Sequence, residues 1–393
     1  MTDQIVSVGM VGLGLVSPSH LKGYASHPKA EVVAVCDLDE GRARQFAREH
    51  RIKGVYTSYD RMVATAGIDA IDIATPTFLH APMTLQAVRA GKHVHCEKPF
   101  CRSVGEGLEA CRAAREQEVK LVVGETYVFL SSHIKARSLI DEGVIGQPLQ
   151  VRQRHGRWLA REDVTVYRGP SDRNWRIDPE KSGGGEFPWI YDHAVHFFAT
   201  AEYFVPGARV AEVYAVAAHG RGSGEGRTGA SHDPYTTAEV DIPLITWKYD
   251  DPSRQGVWMR AEPLNGKYDY MRGFSTVVIG ETGLIEVLGE GGHNLVGEGS
   301  QQHLILHRQD RDPECFRFDE GGDDIWQSDI SYYSQGHVHQ IHHFIDTIVQ
   351  EKEERYSGED GVRAVQCTLA TIRSAREGRP VQVAEIDAEY TAF

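Results

Sequence analysis

The chain has 393 residues, 41% of them hydrophobic and 25% charged, the composition of a folded globular protein with room for two domains. Its 42 Lys and Arg against 56 Asp and Glu give a formal charge of −14, which argues against a nucleic-acid or anionic-membrane binder. No apolar run approaches the roughly 18 residues of a membrane span, and six scattered cysteines without a CxxC pair exclude a disulfide scaffold.

The first 125 residues alternate short β-branched runs with longer helical stretches. Ile5–Val11, Glu31–Cys36, Ala70–Ala74, His93–His95 and Lys120–Val123 read as strands, and Asp39–His50, His80–Ala90 and Ser103–Gln117 as helices. Such alternation implies a parallel sheet covered on both faces, and the near-continuous apolar runs fit doubly buried strands. No basic-then-apolar leader is visible at the start, so a cytoplasmic protein with reduced, buried thiols is expected.

The character changes near Thr126 and Tyr127. A helix is expected over His133–Glu142, capped by Gly143. Alternating apolar residues in Glu239–Ile245 and Thr276–Leu288 predict a largely antiparallel sheet with one covered face. Helices are expected around Ile190–Tyr203 and Tyr333–Glu351. Gly220–Ser231, rich in Gly and Ser, reads as a loop within the second domain. The expected architecture is an α/β chain. Residues 1–126 form a domain with the strand–helix alternation of a Rossmann fold, and residues 127–393 an α+β domain with a large, mainly antiparallel, open-faced sheet. A late helix, about 359–377, is placed to pack back on the first domain.

After the first strand comes Gly12-Leu13-Gly14-Leu15-Val16-Ser17, a GxGxxG pattern with serine at the third glycine. In a strand–turn–helix context Gly12 permits the tight turn, and Gly14 lets a pyrophosphate approach the backbone. Amides at the helix start, from Leu15 and Val16 onward, would hold the phosphates. Asp37 ends the second strand, 23 residues after Gly14, close to the offset of a ribose-binding carboxylate. An aspartate there accepts from ribose hydroxyls and repels a 2′-phosphate. NAD is therefore expected ahead of NADP, with Arg42 and Arg44 as the counter-signal.

Residues 75–99 read TPTFLHAPMTLQAVRAGKHVHCEKP, with Thr75-Pro76, His80 and Glu97-Lys98-Pro99 as the telling positions. Asn174-Trp175-Arg176-Ile177-Asp178-Pro179 then precedes Ser182-Gly183-Gly184-Gly185, Asp192 and His196. This order resembles the Gfo/Idh/MocA oxidoreductases, the glucose–fructose oxidoreductase and inositol dehydrogenase family, over nearly the whole chain. The resemblance implies that Thr75, Pro76, His80, Glu97 and Lys98 lie at the cofactor. It also implies an NAD-dependent enzyme acting on pyranosides or cyclitols, and a dimer or tetramer packed through the open sheet face. The chain departs from the family pattern in several places. Ala194 replaces a glycine, His193 is an extra histidine, and the EFPWIY spacer before Asp192 is longer. Ala199 and Thr200 stand where an acidic residue is common.

Oxidation of a secondary alcohol needs a base for its proton and an electrostatic partner for the developing alkoxide. Lys98, just past a strand of an open α/β sheet, is placed to donate to the substrate oxygen. Asp192 and His196 are spaced i, i+4, on one helix face. His196 is the expected base and Asp192 its partner or a hydroxyl acceptor, with the reverse split open. Glu97 is expected to bond backbone amides near the cofactor. Tyr127, Trp175, Arg176 and His193 are candidate substrate contacts. Arg157, Trp158, Arg161 and Tyr167 could line a sugar site or a subunit contact. The His337, His339, His342, His343 cluster lacks the HExxH pattern, so no metal is expected, and one of these histidines is assigned to substrate. Three functions remain in order of preference. The first is a dehydrogenase of a ring hydroxyl in a sugar, glycoside or cyclitol, with a 3-keto-glycoside as one product. The second is a redox-neutral glycoside hydrolase or epimerase with tightly held NAD. The third is a non-catalytic sugar or dinucleotide sensor.

Overall fold

The computed structural model describes residues 5–65, 67–156, 175, 178–220, 240–261, 275–288, 303–318 and 331–393. The chain divides into two compact units. One comprises residues 1–129, 334–365 and 387–391, the other residues 130–333, 366–386 and 392–393.

The first unit is built on a six-stranded sheet in the order β3-β2-β1-β4-β5-β6. Its strands are β1 (Val6–Val11), β2 (Ala30–Cys36), β3 (Gly54–Tyr56), β4 (Ala70–Ile73), β5 (His93–Glu97) and β6 (Leu121–Gly124), all paired in parallel. The helices α1 (Ser17–Ser26), α2 (Glu40–His50), α3 (Tyr59–Val63), α4 (Thr77–Arg89) and α5 (Val104–Glu116) lie between them in sequence. This is the expected Rossmann domain, with β4 and β6 buried throughout. Two extents differ from the sequence reading. β5 continues to Glu97, and α4 begins at Thr77, where Pro76 stands at the cap with an extended backbone. The short β3 and α3 were not anticipated, because three residues carry little periodicity.

Most of α9 (Ser331–Val349) also belongs to this unit; it follows α6 (Ser131–Asp141), α7 (Pro179–Ser182) and α8 (Pro188–Tyr203) in the chain. Ile341, Phe344 and Ile345 of α9 join Val6, Val8, Met10 and Tyr24 in the core. Residues 358–365, the start of α10 (Gly358–Glu377), also belong to this unit. Ser357 and Asp360 cap that helix reciprocally, with Asp360 N donating to Ser357 Oγ and Ser357 N to Asp360 Oδ2.

The second unit holds a nine-stranded sheet. Its strands are β7 (Pro148–Gly156), β8 (Val210–Gly220), β9 (Val240–Tyr249), β10 (Gln255–Ala261), β11 (Ser275–Gly280), β12 (Gly283–Leu288), β13 (His303–Arg308), β14 (Glu314–Arg317) and β15 (Val381–Gln382). The order is β14-β13-β12-β11-β7-β10-β9-β8-β15. Only the β7–β10 pair is parallel, so the sheet is mainly antiparallel as expected. Thr276–Leu288 is not one strand but the hairpin β11–β12, turning at Glu281-Thr282. Gly143 closes α6 in the left-handed region, as its sequence position suggested.

One sheet face carries the core. Ile245, Trp247, Trp258, Val278, Ile285, Val287, Leu304 and Leu306 are buried there. Phe197 of α8 stacks on Trp258, with ring centroids 4.6 Å apart, and Phe198 meets Trp247. Thr200 of α8 accepts a 2.6 Å hydrogen bond from Gln153 on β7. An acidic side chain at that position would instead be buried against the sheet. Of the cysteines, Cys315 is exposed and the other five are buried. Among the described residues no helix is long and apolar enough to cross a membrane.

Candidate active site

The β1–α1 turn and the end of β4 meet where the strand order reverses, the usual ligand position in an open α/β sheet. Gly12 has φ of +84°, and a Cβ there would sit 2.5 Å from Ala74 O. Gly14 is different, because a Cβ would meet nothing within 4 Å. That open space above the turn is the cradle a pyrophosphate needs. Ser17 replaces the third glycine without loss, since it is fully buried and its hydroxyl donates to Gly14 O at 2.8 Å. Leu15 is 40% exposed and Val16 caps α1.

Asp37 is held rather than free. Leu13 N donates to Oδ2 at 2.9 Å, Asp39 N to Oδ1 at 2.9 Å, and Arg42 Nη1 to Oδ2 at 3.4 Å. These bonds fix the carboxylate beside the phosphate turn, where it can accept from ribose hydroxyls. Arg42 is thus engaged by Asp37 and Asp39, and Arg44 by Glu40 at 2.6 Å. The arginines that could have signalled a 2′-phosphate are paired with carboxylates. The residues present fit NAD.

Lys98 follows β5 directly and is half-buried, and the Lys98–Pro99 peptide is cis. His80 of α4 ties this turn to the one after β4. Its Nδ1 lies 2.7 Å from Pro99 O and its Nε2 2.6 Å from Thr75 O. Burial holds the His80 pKa below the ordinary histidine value, against the pull of both carbonyls. Each ring nitrogen therefore faces backbone, and the ring acts as a staple between two loops. His80→Ala is expected to lower stability by about 2–4 kcal/mol through two lost buried contacts. Turnover should fall by up to about 10²-fold as the Lys98 turn loosens. Thermal melts and steady-state kinetics check both, and an unchanged melting temperature would refute the staple.

Glu97 is assigned by sequence to backbone amides. In the structure its Oε1 faces His20 Nε2 at 3.2 Å and Gln340 Nε2 at 3.5 Å. Burial opposes ionisation of Glu97, but the bond from His20 and its charge outweigh it and lower the pKa to about 2. Burial likewise opposes the charge on His20, while Asp72 and then Glu97 raise it to about 10. Asp72 is lowered too, burial being overcome by His20 and His95. The raised histidine stabilises the fold fully below its unfolded value of 6.5, and that contribution is lost as pH rises towards 10. The lowered carboxylates contribute fully above 4.5 and lose it as pH falls. The cluster's contribution is therefore largest between about pH 4.5 and 6.5. Melting temperatures from pH 5 to about 10 should fall more steeply for the native protein than for His20→Gln.

In the second unit, Asp192 and His196 stand one turn apart on α8. Asp192 is half-buried and His196 buried. His193 Nδ1 lies 3.9 Å from Asp192 Oδ2, so the extra histidine is also near the carboxylate. Tyr127 is buried in a 3-10 turn of the first unit and its N donates to Glu125 Oε1 at 3.2 Å. Trp175 is half-buried. Asp178 caps α7 through Glu180 N and Lys181 N. Gly184 and Gly185 pack against Tyr191 and Ala392 respectively, which accounts for two glycines of the triplet. Arg157, Trp158, Arg161, Tyr167, Asn174, Arg176 and the loop after Gly220 lie outside the described residues.

The α9 histidines do not converge. His339 Nδ1 meets Phe129 O at 3.1 Å, His342 Nε2 meets Ser26 Oγ at 2.8 Å, and His343 Nε2 accepts from Arg355 N at 2.8 Å. Only His337 turns into the buried group, 5.5 Å from His20 by ring centroids. His20, Asp72 and His95 escaped the sequence reading altogether.

Comparison with known proteins shows the family and the fold. Residues 6–125 match the oxidoreductase family with an NAD-binding Rossmann fold (GFO_IDH_MocA), and residues 137–383 match its C-terminal alpha/beta domain. The uncharacterised oxidoreductase YrbE of Bacillus subtilis (strain 168) is 26% identical over 98% of both chains. The 1,5-anhydro-D-fructose reductase of Ensifer adhaerens is 32% identical over 217 residues, 55% of this chain and 61% of that one. That match thus spans about three-fifths of the reductase. The solved structure of levoglucosan dehydrogenase with NADH and levoglucosan has the same fold, with a TM-score of 0.75, 20% identity and coverage of 97% and 99%. With both family domains matched in order, the chain belongs to the Gfo/Idh/MocA family of NAD-binding oxidoreductases.

Proposed function

We propose that this protein transfers hydride between NAD and a ring secondary hydroxyl of a sugar, glycoside or cyclitol. The observation that carries the reading is the Glu97-Lys98-Pro99 turn. It ends β5 and is stapled by His80 to the turn beside the cofactor cradle. Gly12, Gly14, Leu15, Val16 and Asp37 would hold the dinucleotide, with Thr75, Pro76, His80, Glu97 and Lys98 towards its nicotinamide end. NAD supplies the hydride acceptor when bound. Lys98 donates to the substrate oxygen and stabilises its developing negative charge. His196 takes the hydroxyl proton, with Asp192 orienting the ring or accepting a second hydroxyl. Tyr127, Trp175, Arg176 and His193 contact the sugar. The names of the reductase and the levoglucosan dehydrogenase support a ring-sugar substrate.

The test is NADH absorbance with glucosides, inositols and free aldoses, at about pH 8–9, above the ordinary histidine pKa of about 6.5. Growth of NADH with one class names the substrate family. Product formation without NADH release, with nucleotide recovered on denaturation, would replace this reading by redox-neutral chemistry on retained cofactor.

We further infer a homo-oligomer, a dimer or tetramer, through the uncovered sheet face. Val216, Leu244 and Met259 form an exposed row across β8, β9 and β10, beside Tyr214. Three large apolar side chains in register, with a fourth beside them on the same face, are more than scattered surface residues. Leu244→Lys at the centre of the row is expected to yield monomers by light scattering. An unchanged mass would refute this interface.

A further inference from the structure

His20 has no exposed side-chain surface and stands between two carboxylates. Its Nδ1 is 3.0 Å from Asp72 Oδ2, and its Nε2 is 3.2 Å from Glu97 Oε1. A carboxylate oxygen faces each nitrogen, and two negative charges, unlike two neutral carbonyls, favour a proton on both. A neutral ring would set one nitrogen lone pair against a carboxylate. The ring is therefore a buried cation with two counterions. His95 adds a 2.6 Å bond from Nδ1 to Asp72 Oδ1. Gln340 Nε2 lies between Glu97 Oε1 and His337 Nδ1, at 3.5 and 3.3 Å. Gly124 of β6 leaves room for the group, since a Cβ there would lie 2.8 Å from Glu97 Oε1 and 3.2 Å from Gln340 Nε2.

His20, Asp72 and His95, or His20, Glu97 and His337, could be read as metal ligands. The distances favour protons. Ligand bonds of about 2.0–2.1 Å at the tetrahedral angle would separate donor atoms by about 3.3 Å. His95 and Asp72 instead approach to 2.6 Å, and His20 gives one nitrogen to each carboxylate.

We propose that His20 is a positioning residue. Anchored by Asp72, its charged ring fixes the Glu97 carboxylate beside Lys98 and keeps it ionised as an acceptor for the bound cofactor. The proposal rests on the reading of Glu97 as a cofactor contact. Hydride chemistry needs no buried cation here, yet α1, β4, β5 and α9 all contribute to holding one. Among the described residues, the other titratable groups acting on this cluster are Tyr24 of α1, on Asp72; Cys96 and His95 of β5; His337 of α9, on Glu97; and His80 at the cofactor side, also on Glu97. The raised His20 and lowered Glu97 pKa values agree with the geometry.

Nitrogen-15 spectra of the labelled protein without cofactor test the clamp directly, with the His20 signals assigned through His20→Gln. The ring is expected to remain an imidazolium from about pH 6 to 9, and Glu97→Gln to lower its titration by at least about one pH unit. A His20 ring that titrates near the ordinary value of about 6.5 overturns the proposal. NADH affinity, read by fluorescence, is the second arm. In His20→Gln the buried Glu97 loses its counterion and titrates at accessible pH. Affinity should then fall about tenfold from pH 8 to 6, against less than about twofold in the native protein and in His20→Gln/Glu97→Gln. A lower melting temperature with no new pH slope indicates a purely structural histidine and overturns the proposal. Glu97→Gln with unchanged NADH affinity overturns the cofactor reading of Glu97 alone, because the ring spectra decide the clamp independently. The same spectra of Glu97→Gln serve if His20→Gln does not fold.

Discussion

Lys98→Met is expected to lower kcat by about 10³-fold while leaving NADH affinity within about threefold. Methionine keeps most of the side-chain length and volume but removes the ammonium. As the base takes the hydroxyl proton, negative charge grows on oxygen before hydride departure consumes it, and an ammonium at the oxygen would stabilise that charge more in the transition state than in the neutral alcohol. Removing one such preorganised donor costs up to about 4 kcal/mol, which is the stated factor. The turn itself is secured by other groups, namely His80 on Pro99 O and the His20 contact to Glu97. Cofactor binding should therefore survive the substitution. NADH formation and NADH fluorescence titration on one preparation separate the effects. A loss of less than about tenfold in kcat would remove Lys98 from the reacting centre.

The first unit could be read from the sequence because its signals are local. Gly12, Gly14 and Asp37 carry meaning through fixed spacing, and strands β1, β2, β4, β5 and β6 are short apolar runs. The Lys98 turn is legible through the resemblance of residues 75–99 to a known family. The hidden part depends on long-range contacts. His20 and Glu97 are 77 residues apart, and Glu97 and Gln340 are 243 apart. No periodicity links them. Asp72 sits in a fully buried strand where an apolar residue would be the ordinary choice, and that misfit was the one signal available. The return of α9 was equally silent. Its apolar stripe shows that Ile341, Phe344 and Ile345 are buried, but not against which sheet. On α8 the spacing of Asp192 and His196 placed them one turn apart. What the adjacent His193 adds depends on the side-chain geometry, not the spacing.

Two glycines two residues apart should respond in opposite ways. Gly12→Ala must pay for a left-handed backbone at φ +84° and for a Cβ 2.5 Å from Ala74 O. That carbonyl is backbone at the end of β4, where Ala74 N is bonded to Val11 O at 2.9 Å, so it cannot move aside alone. Strain and overlap together cost about 2–4 kcal/mol, and the melting temperature should drop by several degrees, with the cofactor site distorted as a consequence. Gly14→Ala meets no protein atom within 4 Å, so the folded protein without cofactor should melt within about a degree of the native one. Its new methyl group instead projects into the space the pyrophosphate would take, and NADH affinity should fall by about 10²-fold, the loss expected when a close phosphate–amide approach is blocked. The pair thus separates a glycine demanded by the chain from one demanded by the ligand. Equal melting losses in both variants would mean that the turn is a purely structural feature. Retained NADH affinity in Gly14→Ala would move the pyrophosphate away from this turn and leave Asp37, however well oriented, without a ribose to hold.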